Sequence, residues 1–301
     1  MCLLPRTYPL LRLLRGFSTQ MSPGGEPDFH TFRLLKSHPT GRKSRILQFS
    51  TPKFTEPPVP WGVKLSRVPG GRTKSYSPVD VPKLTPGAVS DVMTLLVKPY
   101  DPAPAGSDGF GAFLCEMKPG DTASFYLKEP REIHGKTEVH PGVYDDIYLI
   151  GGGTGIAPLL QIARAEIYGS DVSMVNLMSV NRSEDDVLMR EEIEDLIGEA
   201  GGDGGRMTVR YVYTDVMGRG DNLCAYEFLN GGGKKTASAS ASASMSSPAP
   251  RKNITYICGS DPFISHWCGP RGRDSNGKKT QGPLGGVLQE LGLLEGDVYK
   301  F

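Results

Sequence analysis

Residues 146–158 read Asp146-Ile147-Tyr148-Leu149-Ile150-Gly151-Gly152-Gly153-Thr154-Gly155-Ile156-Ala157-Pro158. The apolar run predicts a buried strand over 146–150, the glycines a tight turn, and a helix follows from about 158 to 167. Proline at the start of that helix is no obstacle, because a first helical turn has no amide bond to lose. Glycine lets the backbone come close to a pyrophosphate, and the free amides and dipole of a helix start attract its charge. The stretch is not the dinucleotide fingerprint G-x-G-x-x-G. Ile156 stands at the third glycine position, and the next strand leads into Asn181-Arg182-Ser183 where a ribose-binding acid would be expected. Judged alone, it also reads as an ordinary strand-to-helix turn.

Working outward towards the carboxyl end, strand-like and helix-like periods alternate from about residue 142, as in βαβ units around a parallel sheet. Strands are expected at 172–180, 207–213, 254–258 and 298–301, and a helix at 284–291. Ser183 and Asp186 have the spacing of a capping box, which predicts a helix with Met189, Ile193, Leu196 and Ile197 on one face. A second strand ends in a turn at Tyr256-Ile257-Cys258-Gly259-Ser260-Asp261-Pro262-Phe263. Ligands of open parallel sheets bind beyond the carboxyl ends of the strands, so the two turns are candidates for one crevice. Cys258 has an alternative reading as a buried structural cysteine, since no histidine or lysine near it in sequence would lower its pKa.

Towards the amino end the texture differs. Between 32 and 127 short alternating apolar runs are broken by prolines, which predicts an antiparallel barrel with strands at 45–49, 63–68, 74–77, 92–97 and 122–127. The run Lys74-Ser75-Tyr76-Ser77-Pro78-Val79 brings together a cation suited to a pyrophosphate, an aromatic face and a hydroxyl. It is equally an ordinary strand.

The bulk properties narrow the field. A length of 301 residues suits two domains, and a net charge of +1 gives no electrostatic reason to expect nucleic acid. Five scattered cysteines without a C-x-x-C pair, and five histidines in separate segments, predict reduced thiols and no metal or iron-sulfur site. Residues 1–25 carry Arg6, Arg12 and Arg15 with no acid before Glu26, the composition of a mitochondrial transit peptide or of a disordered extension. Their apolar runs are too short for a transmembrane helix. Residues 231–252 are mostly glycine, serine, alanine and lysine in low-complexity order, and a disordered insertion is expected there.

Together these segments resemble the ferredoxin reductase-like superfamily, and within it the NADH-cytochrome b5 reductases. The family's Arg-x-Tyr-Ser/Thr pattern is similar to KSYSPV, its G-G-T-G-I-x-P turn to residues 152–158, and its Cys-Gly-x-x-P motif to CGSDPF. Further matches are LLVKPY at 95–100, FLCEMKPGD at 113–121, NRSEDDVLMREEIEDL at 181–196 and the terminal VYKF. The resemblance implies an FAD-binding β-barrel at 28–140 and an NAD(P)H-binding α/β domain at 143–301. By the same resemblance Lys74, Tyr76 and Ser77 would bind FAD, with Lys98 and Tyr100 near it and Gly109, Phe110 and Gly111 beside its phosphates. Gly152, Gly153 and Gly155 would meet the nucleotide phosphates. Thr154 would sit between flavin and nicotinamide, and Cys258, Gly259 and Phe263 would line the nicotinamide side.

The implied activity is hydride transfer from NADH to FAD and single-electron delivery to a haem protein such as cytochrome b5, with Tyr76, Ser77, Thr154 and Cys258 at the reacting centre. NADPH stays open, because Arg182 and Arg190 could meet a 2′-phosphate. A reductase feeding an iron-sulfur or oxygenase partner, and a nucleotide-binding subunit of low turnover, are the rival readings. Three departures bear on them. Lys74 replaces an arginine and Gly111 a hydroxyl residue, while Ser260 and Asp261 stand where relatives carry prolines.

Overall fold

The computed structural model describes residues 29–55, 59–67, 72–79, 89–100, 109–128, 139–218, 220–231, 251–275, 277 and 279–301. The expected transit segment and the interior of the low-complexity run lie outside them.

The amino-terminal half is a six-stranded antiparallel sheet built from β1 (His30–Thr40), β2 (Ser44–Thr55), β3 (Val63–Ser66), β4 (Thr73–Tyr76), β5 (Val89–Val97) and, after helix α1 (Phe110–Glu116), β6 (Thr122–Leu127). The strand order is β4-β3-β6-β1-β2-β5. Its two edges meet where Pro78, just past β4, bridges Leu95 of β5, and Val79 N–H donates to Thr94 O at 2.9 Å. Closure leaves a barrel interior for the inward residues of each strand. Phe32, Leu34, Leu47, Phe49, Leu65 and Phe125 fill it, each at most 1% exposed. Burying an aromatic of this size stabilises by about 1.5–3 kcal/mol. Strand β1 was not expected as a separate element: after Phe32 and Leu34 the alternation is lost at Leu35-Lys36, where a β-bulge shifts the register. Helix α1 was likewise not foreseen. It is seven residues long, too short for a helical period, and it inserts Phe110 and Leu114 into the barrel core.

The carboxyl-terminal half alternates strand and helix: β7 (Asp146–Gly152), α2 (Ile156–Gly169), β8 (Met174–Asn181), α3 (Arg190–Glu199), β9 (Met207–Tyr213), α4 (Thr214–Met217), α5 (Asn222–Gly231), β10 (Asn253–Cys258), α6 (Asp261–Cys268), β11 (Gly272–Arg273), β12 (Lys279–Thr280), α7 (Gly286–Glu290) and β13 (Val298–Lys300). Five strands form a parallel sheet in the order β13-β10-β7-β8-β9. Apolar clusters cover both faces, one with α2 and α3, the other with α5, α6 and α7. Burial on both faces explains why these strands read as continuous apolar runs and not as alternating ones.

The expected capping box differs from what forms. Ser183 Oγ donates to the Asp186 carboxylate at 2.9 Å, so the hydroxyl does not cap a backbone amide, and 184–186 make only a single 3-10 turn. The helix begins at Arg190, after Met189 in the left-handed region at φ 58°; Ile193 and Leu196 are its buried positions. The run 231–252 is anchored at both ends. Gly231 closes α5, Lys252 N–H donates to Asp145, and Arg251 pairs with Asp146 at 2.7 Å.

Barrel and sheet share a core. Val59, Val79 and Leu96 of the barrel pack into the cluster that contains α2. The connection between the halves is held by Val139 N–H to Val59 O at 2.7 Å and by the wholly buried Glu166, which accepts from Gly142 N–H at 3.0 Å. Burial pushes the Glu166 carboxyl above the usual range.

Candidate nucleotide and flavin site

In the parallel sheet the chain order reverses at β7, which pairs with β8 on one side and with β10 on the other. That switch point leaves a crevice at the carboxyl ends of β7 and β10, where both glycine turns emerge. The turns are in contact. A Cβ added at Gly155 would strike the carbonyl oxygen of Cys258, and would lie 2.7 Å from Gly259 N. The Phe263 ring, carried on α6, covers both turns, lying 2.9 Å from where a Gly152 side chain would begin and 2.5 Å from the same point at Gly259. Thus Gly152, Gly155, Cys258, Gly259 and Phe263 come together in space across more than a hundred residues of sequence. Thr154 sits half-buried in the 3-10 turn 153–155, which leads directly into α2. Cys258 is half-buried at the end of β10, packed against the core cluster that includes α2.

The barrel residues gather separately. Tyr76 ends β4, half-buried and packed on the barrel core. Burial raises its phenol pKa, with Cys115 and Tyr100 adding to the rise. The Cys115 thiol is itself pushed up to about 11, mainly by burial, and so stays neutral. Lys98 and Tyr100 follow β5; Tyr100 is 52% exposed. Gly109 precedes α1, whose first turn carries the buried Phe110 and Gly111. Lys74 is exposed on β4 opposite Leu65, two residues from Tyr76, and therefore on the same side of the strand. Arg72 is exposed just before β4. Ser77 is half-buried between Tyr76 and Pro78.

Gly111 has a steric reason of its own. A Cβ there would run into the carbonyl oxygen of Lys98 and lie 3.3 Å from Pro99 Cα. The missing hydroxyl therefore reflects the closeness of α1 to the end of β5. Gly111→Ser is expected to destabilise the barrel by about 1–3 kcal/mol, because backbone atoms cannot rotate away. Thermal unfolding of the flavin-free variant checks this, and an unchanged Tm would contradict the packing.

Residues that the sequence did not bring forward are Gln161 and Arg164 on α2. Both hydrogen-bond the barrel: Gln161 at Trp61 and Pro78, Arg164 at the carbonyl of Val79. A lone amide within Leu159-Leu160-Gln161-Ile162-Ala163 was the available signal. At the chain end, Phe301 N–H donates to Ile257 O at 2.9 Å, and its ring packs beside Tyr256 and Tyr299.

A closed antiparallel barrel joined to a parallel sheet with a glycine-lined switch point is the architecture of the ferredoxin reductase-like superfamily. Residues 149–269 match the family model described as an oxidoreductase NAD-binding domain. The chain is 27% identical over 229 residues to NADH-cytochrome b5 reductase 2-B of Vanderwaltozyma polyspora, covering 75% of this chain and 65% of that protein. It is 30% identical over 209 residues to NADH-cytochrome b5 reductase 2 of Saccharomyces cerevisiae, covering 69% and 61%. Among solved structures, the cytochrome b5 reductase domain of Ulva prolifera nitrate reductase superposes with a TM-score of 0.63 at 19% identity, covering 93% of this chain and 99% of that one. The CS-b5R domains of human Ncb5or give 0.63 at 19%, covering 91% and 69%. By sequence, then, the chain is a relative of the NADH-cytochrome b5 reductases. It spans less than two thirds of the length of the yeast relatives it matches.

Proposed function

We propose that the chain is an FAD-dependent reductase that takes hydride from NADH and passes single electrons to a haem protein such as a cytochrome b5. The observation that carries this reading is the meeting of the two glycine turns at the switch point beneath Phe263. The site also fits the groups involved: among the described residues nothing lies within 4 Å of where a side chain would begin at Gly109 or Gly153, so these residues leave room for phosphate in front of α1 and of α2. Bound FAD would supply the chemistry, accepting two electrons as hydride and releasing them singly.

In this reading the protein binds and orients. Lys74 neutralises the FAD pyrophosphate, with Gly109 and Phe110 offering amides at the start of α1. Tyr76, kept neutral by burial, would lay its ring against the isoalloxazine, and Ser77 would hydrogen-bond its edge. Gly152, Gly153 and Gly155 admit the nucleotide phosphates at the start of α2. Thr154, Cys258, Gly259 and Phe263 border the nicotinamide and exclude water from it. No side-chain acid or base is needed for hydride transfer.

NADH is preferred over NADPH because the arginines beyond β8 are already engaged. Arg182 pairs with Asp215 at 3.3 Å, and Arg190 pairs with Glu184 at 3.3 Å while stacking 4.7 Å over Tyr211. A 2′-phosphate would meet these carboxylates. Asp215→Ala is expected to free Arg182 and to shift the ratio of kcat/KM for NADH over NADPH by about tenfold towards NADPH, which corresponds to about 1.4 kcal/mol. Steady-state kinetics with both nucleotides measures this, and an unchanged ratio would remove Asp215 from the specificity site.

The arginine-rich composition of residues 1–25 supports a mitochondrial location. Among the described residues no helix is long and apolar enough to cross a membrane. The decisive experiment is an absorption spectrum of the purified chain before and after anaerobic NADH. Flavin bands that bleach are expected. Flavin that resists NADH would favour a nucleotide-binding subunit of low turnover, and absence of flavin would overturn the reading.

A further inference from the structure

Gln161 lies on α2, seven residues past Thr154, and is wholly buried. Its carboxamide leaves the parallel-sheet half entirely. Oε1 accepts from Trp61 N–H at 2.8 Å, while Nε2 donates to Trp61 O at 3.1 Å and to Pro78 O at 2.6 Å. Both amide hydrogens and one oxygen lone pair are thus spent on the barrel backbone. The two barrel segments they join are not neighbours in sequence. Trp61 leads into β3, and Pro78 directly follows Ser77. One turn further along α2, Arg164 reaches the carbonyl of Val79. A buried amide that makes three bonds to backbone groups admits very little displacement, since losing any of them leaves a polar group unpaired away from water.

We propose that Gln161 is a positioning residue: it fixes the helix that follows the nucleotide turn against the segment that carries Tyr76 and Ser77, and so sets the flavin-to-nicotinamide geometry. This rests on the functional reading above. Hydride transfer needs its donor and acceptor carbons in near-attack contact, and a displacement of about 1 Å can cost about a hundredfold in rate. Apolar packing of Val59, Val79 and Leu96 holds the halves together but is non-directional. The amide supplies the direction that packing lacks.

The test uses the full chain with Gln161→Leu and Gln161→Glu. In flavin-free protein, hydrogen exchange at the Trp61 amide is expected to lose protection in Gln161→Leu. In flavin-loaded protein, stopped-flow reduction by NADH is expected to show a limiting rate lower by about tenfold or more, with the NADH dissociation constant changed by less than about threefold. Gln161→Glu adds a signature that a loss of stability would not give. Its buried carboxyl titrates above the usual range, and only its protonated form can donate its single hydrogen to one of the barrel carbonyls, so its limiting rate should rise as pH falls while that of the wild type does not follow. Should Gln161→Leu fail to fold, this pH-dependent recovery decides the matter. A wild-type limiting rate in Gln161→Leu, or a rate in Gln161→Glu that is independent of pH, would overturn the role. A wild-type chain whose flavin is not bleached by NADH would overturn the functional reading itself.

Discussion

Gly155→Ala is expected to slow the reduction of bound flavin by NADH about a hundredfold while leaving the flavin content unchanged. The added methyl would meet the carbonyl group of Cys258 and the amide nitrogen of Gly259, all backbone atoms. Rotamer changes cannot relieve such a contact, so the two turns must separate. Their separation lifts Phe263 from Gly152, displaces the amides at the start of α2, and moves the nicotinamide edge of the crevice relative to the barrel. A shift on the ångström scale is enough for a loss of this size. The same overpacking costs stability, about 1–3 kcal/mol, but only in the parallel-sheet half. Because the atoms nearest a side chain at Gly155 belong to Cys258 and Gly259 of the parallel-sheet half, FAD should remain bound at its wild-type level. Stopped-flow absorbance at saturating NADH, together with the flavin-to-protein ratio, measures both quantities. A wild-type rate would mean that contact between the turns does not shape the nucleotide site.

Lys74→Ala is expected to weaken FAD binding by about ten- to a hundredfold. A charge-assisted contact of an ammonium with a pyrophosphate contributes roughly 1.5–3 kcal/mol. Lys74 is exposed at a strand position that shares its side with Tyr76, so the ammonium can reach a phosphate from solvent without a burial cost. Lys74→Arg should keep or tighten binding, because a planar fork matches phosphate oxygens better than a point charge does. The hydride step in molecules that retain FAD should change little, since the contact holds ground state and transition state alike. Titrating the apoprotein with FAD by flavin fluorescence gives the answer. An unchanged affinity would move the phosphate contact to Arg72, which directly precedes β4.

The strands of the parallel sheet were legible because burial on both faces forces unbroken apolar runs, as at 146–150 and 254–258. The antiparallel strands that alternate cleanly, such as 122–127, were legible too. Strand β1 was missed where Lys36 and His38 interrupt its pattern beside a bulge. Helices α5 and α6 were missed for another reason: α6 is short and opens on Asp261-Pro262, which reads as a turn until its burial of Ile264, Trp267 and Cys268 is seen. The capping reading failed because a serine hydroxyl has two possible partners, and the Asp186 carboxylate took it in place of a backbone amide. Of the candidate site, residue types and chain order could be read from the motifs. The packing that makes Gly111 obligatory could not, since Lys98 is thirteen positions away and no local rule brings it near.

The sequence by itself determined the two-part architecture, the glycine turns after two buried strands, and the side chains suited to phosphate and to flat rings. Each of these follows from local physics: hydrophobic period, backbone freedom and functional-group chemistry. Tertiary structure alone decided that the 152–155 and 258–259 turns touch, that Arg182 pairs with Asp215, and that Gln161 belongs to the barrel as much as to its own helix. These are contacts between residues 33 to more than a hundred positions apart, created by closure of the barrel and reversal of the strand order at β7. A polar side chain inside an apolar run records only that some partner exists; which partner it is depends on what the rest of the chain folds against it.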